Sequence, residues 1–161
     1  MPFLIIRTGE NRMPQPQDCL REFYDAHDED LRLTSRAGQV EYRTTMRCIE
    51  TYLRPGMRVL EIGAGTGRHS LERARRGCEV CAVVRLGKNL EVLRKHIEPG
   101  MQLTARQGNA LVLSFLGDRP FNGVLLLGPM YRLCERADPL RVFGEAQRLT
   151  RPGGFLYATT A

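Results

Sequence analysis

The stretch Val59-Leu-Glu-Ile-Gly-Ala-Gly-Thr-Gly-Arg-His-Ser70 limits the fold more than any other part of the chain. A buried-strand pattern runs without a break into a turn of three glycines and then into a helical pattern. Val59, Leu60 and Ile62 have the apolar and β-branched character of a strand covered on both faces. Gly63, Gly65 and Gly67 let the backbone turn tightly and approach a ligand, which the amides of the following helix then face. This is the order of parts in a nucleotide-cofactor site.

The spacing separates cofactors. A dinucleotide fingerprint requires Gly-x-Gly-x-x-Gly, but here the third glycine comes one residue early, at Gly67, and Arg68 fills the place reserved for glycine or alanine. A phosphate-cradling loop is excluded because no Gly-Lys-Ser or Gly-Lys-Thr follows. Glu61 adds a carboxylate at the carboxyl end of the strand, where a cationic group is welcome and a pyrophosphate is not. The expected cofactor has a positive end.

Around this stretch, strand and helix patterns alternate. Strands are predicted over 58–62, 79–84, 103–107, 123–127 and 155–158, and helices over 68–76, 88–96 and 139–149. Such alternation predicts a doubly wound, mostly parallel α/β sheet. Residues 1–19 read as an irregular lead-in with three prolines, in which Phe3-Leu-Ile-Ile6 resembles a short strand. A helix follows from Leu20 to Asp25. A second runs from Gly38 to Leu53, where Tyr42, Met46, Ile49 and Leu53 recur at helical spacing and Pro55-Gly56 stops it.

With these landmarks in order, the chain resembles the class I S-adenosylmethionine-dependent methyltransferases, most closely their small bacterial members. The resemblance is carried by Val40-Glu-Tyr-Arg-Thr-Thr-Met-Arg, by Leu53-Arg-Pro-Gly-Met-Arg running into the glycine turn, by Gln107-Gly-Asn-Ala-Leu-Val-Leu-Ser114, by Leu125-Leu-Leu-Gly-Pro-Met-Tyr131, and by Glu145-Ala-Gln-Arg-Leu-Thr-Arg-Pro-Gly-Gly154. It implies a Rossmann-like methyltransferase domain over 20–161, with leading helices in 20–54 and a cofactor-binding core in 57–161. It also implies a sheet left incomplete at its C-terminal end, since relatives continue past the fifth strand. The edge at 155–158 would then be covered by the segment from Phe3 to Arg7 or by a second subunit, as a homodimer.

Residue roles follow from the same resemblance. The turn Gly63, Ala64, Gly65 and Gly67 would hold the methionyl part of S-adenosylmethionine, with Glu61 toward its ammonium group directly or through water. Relatives keep an acid after the second strand to accept both ribose hydroxyls, and that place falls on Val84, followed by Arg85. A charge-assisted bond of this kind contributes about 1.5–3 kcal/mol, so its loss weakens binding by roughly one to two powers of ten. Asn109 and Ala110 stand where relatives hold the adenine, and Leu127 begins the lip of the pocket. Tyr131, Tyr24 and His27 are the expected contacts on the acceptor side, and Tyr42 another lining residue. Methyl transfer is an in-line displacement that positioning can carry without an obligatory base, so no single catalytic residue is named.

The implied function is methyl transfer to a small-molecule acceptor, with activity weakened by the missing acid. A second reading is a catalytically degenerate fold serving as a binding or subunit-interaction module. A third, more remote, is an NADP-dependent oxidoreductase in which Arg85 meets the 2′-phosphate; Gly67, Glu61 and the Pro152-Gly-Gly landmark oppose it.

Composition narrows the setting. The 161 residues suit one core, and neither a membrane-length apolar run nor the basic start of a signal peptide is present, so a soluble cytoplasmic protein is expected. Five scattered cysteines read as reduced thiols. Cys78-Glu-Val-Cys81 is a poor metal site, because residues three apart on a strand point to opposite faces. The net charge of +6 comes almost wholly from arginines spread along the chain rather than gathered in a run, which argues against nucleic-acid binding. Arg73, Arg75 and Arg76 are expected on a solvated helix face with Glu72.

Overall fold

The structure is a computed structural model and describes residues 35–127 and 138–159. The lead-in over 1–19, its strand-like Phe3–Ile6 and the helix from Leu20 lie outside the described residues, as do Tyr24, His27 and Tyr131.

Helix α1 (Arg36–Tyr52) leads into β1 (Arg58–Ile62), α2 (Arg68–Arg75), β2 (Glu79–Val84), α3 (Gly87–Lys95), β3 (Leu103–Gln107), a short 3-10 turn (Ser114–Leu116), β4 (Phe121–Leu126), α4 (Asp138–Leu149) and β5 (Thr150–Ala158). The five strands form one parallel sheet in the order β3-β2-β1-β4-β5. The helix α1 starts two residues before its sequence pattern does, because the Ser35 hydroxyl accepts from the Gly38 amide at 3.1 Å and so satisfies a donor of the first turn. The strand β5 likewise begins earlier than predicted. Thr150 already pairs with Phe121, after which Arg151-Pro-Gly-Gly154 bulges out before Phe155 pairs with Gly123.

Side chains alternate across the sheet and build two cores. On one face Val59, Val80, Ala82, Val84, Leu103, Ala105, Leu125 and Leu127 pack with residues of α1, α2 and α3. On the other, Leu60, Ile62, Val83, Val124 and Leu126 pack with Val142, Ala146 and Leu149 of α4 and with Leu113 and Phe121. Cys78 belongs to the first core and Cys81 sits against the second, so the two thiols are on opposite sides of the sheet.

Two glycines, Gly123 within β4 and Gly108 just after β3, permit close packing. A Cβ on Gly123 would lie 2.5 Å from a Leu53 methyl, and one on Gly108 would lie 2.7 Å from Phe115 Cζ and 2.9 Å from Val83 Cγ1. Leu53 therefore seats the end of α1 directly on β4. Farther out, Tyr52 stacks on Phe155 with ring centroids 4.5 Å apart, which extends α1 over β5.

One sequence expectation is overturned here. Arg73 is not on a solvated face: it is 1% exposed, while Arg75 and Arg76 are about half exposed. Position 73 shares the inner side of α2 with Ser70 and Ala74, and Leu71 completes that buried stripe. The buried guanidinium is met by Glu50 of α1, whose Oε1 lies 3.1 Å from Nη2 and also pairs with Arg76. Among the described residues Nε finds no hydrogen-bond partner. The periodicity of charge on a helix shows which residues share a face, but not which second helix will cover it.

Candidate cofactor site

The chain leaves β1 for α2 on one face and leaves β4 for α4 on the other, so a crevice opens between the carboxyl ends of these neighbouring strands. Open α/β sheets bind ligands at such a switch point. The glycine turn lies there.

All three glycines of the turn have positive φ: 76° at Gly63, 57° at Gly65 and 84° at Gly67. The turn is tied to the sheet, since the amides of Gly63 and Ala64 both donate to the Val83 carbonyl of β2, at 2.9 and 3.0 Å. These two donors hold the turn in place rather than face a ligand. Gly67 caps α2 in the left-handed region, and a Cβ there would overlap the Cδ1 methyl of buried Leu93 on α3. Its lack of a side chain thus lets α2 start against α3, which is a packing reason beside the conformational one.

Glu61 has β2 and β4 on its two sides, paired in register with Ala82 and Leu125, and is 2% exposed. A carboxylate this deep needs polar partners. The Ser70 hydroxyl donates to Oε2, and His69 Nδ1 lies 3.7 Å from Oε1. Both partners come from the first turn of α2. Tyr42 of α1 in turn lies against His69, ring centroids 4.9 Å apart, and carries the Arg68 guanidinium 4.7 Å from its own ring centre. Burial, and next the negative charge of Glu72, push the Tyr42 phenol above its ordinary value, so it stays neutral at physiological pH. The leading helix is therefore docked on the first turn of α2 through the Tyr42 ring.

The other positions named from sequence gather at the same ends of the strands. Val84 closes β2 with its side chain buried in the first core, and its carbonyl accepts from the Gly108 amide at 3.0 Å. Arg85 is partly exposed, and its carbonyl accepts from the Gln107 side chain at 3.2 Å. Asn109 Oδ1 accepts from the Leu111 amide at 3.1 Å, an Asx turn that sets the loop after β3 and leaves a second lone pair on that oxygen. Ala110 packs against the second core, and Leu127 against the first. His69 and Ser70 are contacts that the sequence reading passed over. Their place right after Gly67 is a signal, since the first turn of a helix leaving a strand end lies closest to that strand's last side chains.

The comparisons agree with this geometry. Residues 59–154, more than half of the chain, match the methyltransferase domain family, and the chain belongs to that family. It is 33% identical over 106 residues to the ubiquinone biosynthesis O-methyltransferase of Cereibacter sphaeroides, a match covering 65% of this chain and 41% of that one. Among solved structures it is similar to a SAM-dependent methyltransferase from Methanosarcina mazei, with a TM-score of 0.63 and 25% identity over 69% of this chain and 55% of that one. It is also similar to the glycopeptide N-methyltransferase MtfA solved with S-adenosyl-L-methionine, with a TM-score of 0.59 and 26% identity over 68% of this chain and 51% of that one. The chain thus spans less than half the length of the curated relative. Among the described residues no helix is long and apolar enough to cross a membrane.

Proposed function

We propose that this chain binds S-adenosylmethionine at the β1 turn and transfers a methyl group to a small-molecule acceptor. The observation that carries the reading is the buried carboxylate of Glu61 beside a glycine turn at the switch point, in a chain of the methyltransferase domain family. The cofactors named for MtfA and the activity named for the Cereibacter relative support it. A cytoplasmic setting is in keeping with the free thiols of Cys48, Cys78 and Cys81.

The residues present fit the methionyl end of that cofactor. Glu61 supplies a negative charge in a place of low dielectric, where an ammonium group is held strongly. The turn from Gly63 to Gly67 supplies a surface without side chains at its three glycines, and the Asx turn at Asn109 keeps an acceptor toward an adenine amine. When bound, the cofactor would supply a methyl carbon activated by its sulfonium: an acceptor lone pair would bond to that carbon in line as the carbon–sulfur bond breaks, its electrons would pass to sulfur to leave the thioether S-adenosylhomocysteine, and the acceptor's proton would pass to solvent. Catalysis by the chain then consists of orientation and exclusion of water. The O- and N-methyltransferase names of the relatives support an oxygen or nitrogen acceptor.

Titration calorimetry with S-adenosylmethionine, S-adenosylhomocysteine and NADPH tests the reading. Micromolar binding of the first two and none of the third is expected. Glu61→Gln keeps a partner for Ser70 but removes the charge, and the expected loss of affinity is about ten- to a hundredfold. Unchanged affinity in this variant would remove Glu61 from the site. A second reading, a binding or subunit-interaction module paired through the outer edge of β5, is favoured by the apolar burial of Val84 at the place where the family resemblance implies a ribose-binding acid. Silence with all three ligands would support that module.

A further inference from the structure

We propose that His69 controls the charge Glu61 presents to the cofactor, so that a proton on its imidazole competes with the cofactor's ammonium group for one carboxylate. The inference rests on the reading of Glu61 as the acceptor of that ammonium.

The two oxygens of Glu61 are treated differently. Oε2 accepts from the Ser70 hydroxyl, a neutral donor that does not titrate. Oε1 faces His69 Nδ1 at 3.7 Å, across a gap that becomes an ion pair whenever the imidazole is protonated. The His69 side chain is 14% exposed and Glu61 2%, so water screens the pair weakly. Tyr42 of α1 covers the imidazole with a neutral ring. The other charged side chains described around this corner are arginines and glutamates. Arg68 lies over the Tyr42 ring, and the Glu50, Glu72, Arg73 and Arg76 cluster ties α1 to α2. An imidazole in general changes charge nearer neutral pH than a guanidinium, a carboxylate or a phenol does, so among the described residues of this corner His69 is the one suited to such a switch.

The sign follows from linkage. Two cations on one carboxylate repel each other, so binding the ammonium group favours loss of the His69 proton. Equally, affinity is low where His69 is protonated and rises as pH passes upward through its titration. A ligand with the same nucleoside and thioether but no ammonium group does not feel this competition. His69 here acts through Glu61 and is a positioning residue.

The experiment is calorimetry of the full chain with S-adenosylhomocysteine and with 5′-methylthioadenosine, which lacks the amino-acid end, at about pH 5.5 and about pH 7.5, on either side of the histidine range. S-adenosylhomocysteine is expected to bind about fivefold or more tightly at the higher pH, and 5′-methylthioadenosine equally at both. His69→Asn and His69→Gln retain a polar group of similar reach without a titrating proton, and either should flatten the response to S-adenosylhomocysteine. A folded variant that keeps the wild-type slope would overturn the proposal. So would a wild-type chain in which both ligands share one slope, a comparison that needs no variant. If S-adenosylhomocysteine binds with the same affinity at both pH values, the role of His69 fails while the cofactor reading stands; if neither ligand binds, the cofactor reading fails and takes this inference with it.

Discussion

Replacing Gly67 with valine is expected to destabilise the chain by about 3 kcal/mol or more and to abolish cofactor binding. Two independent effects add at this position. At φ 84° a β-branched residue is strained, and the new Cβ would overlap Cδ1 of the fully buried Leu93, in an interior where close packing resists displacement. Urea unfolding of the variant and the parent measures the sum. Gly67→Ala made with and without Leu93→Ala then separates the terms, because the steric part should shrink when the leucine is shortened while the backbone part stays. Equal costs of Gly67→Ala in the two backgrounds would show that the contact with Leu93 is not what requires glycine here.

Glu50→Ala is expected to cost about 2–3 kcal/mol, somewhat less than the loss of one partner from a wholly buried pair because the Glu50 side chain is 34% exposed. The cost arises at Arg73, left as a charge that is 1% exposed with its acid gone. Arg73→Met removes the charge together with the cost of burying it, so this variant should lose less, and the double variant should be more stable than Glu50→Ala alone. Urea midpoints for the three variants check the order. A Glu50→Ala chain as stable as the parent would mean that this pair does not hold α1 on α2. Because α1 also carries Tyr42 to the start of α2, loosening it should weaken cofactor binding even though Glu50 is distant from the glycine turn in sequence.

Much of the fold is legible in the chain because its signals are local. The apolar runs of β1, β2 and β4 have the near-continuous character of strands covered on both faces, and the helices between them repeat at helical spacing. The bounds differ where a neighbouring group decides them. Ser35 extends α1 by capping it, and the pairing of Thr150 with Phe121 draws β5 back across the Pro152-Gly-Gly bulge. The glycine turn was legible as a turn, but the reason for Gly67 is divided: its φ is a local property, whereas its contact with Leu93 joins two helices whose packing no short motif encodes.

The site shows the same division. Gly63, Gly65 and Gly67 after a buried strand, with an acid two residues before the first glycine, determine a doubly wound parallel sheet and a crevice suited to a cationic cofactor, because strand period, turn geometry and charge sign are all carried by adjacent residues. Only the tertiary structure decided what Glu61 touches, that Tyr42 covers His69, and that Arg73 is buried against Glu50. These contacts join residues from separate elements. Where a long side chain points, and whether its charge meets water or a partner, is set by the element packed above it; in this chain that element is α1, lying across the start of α2.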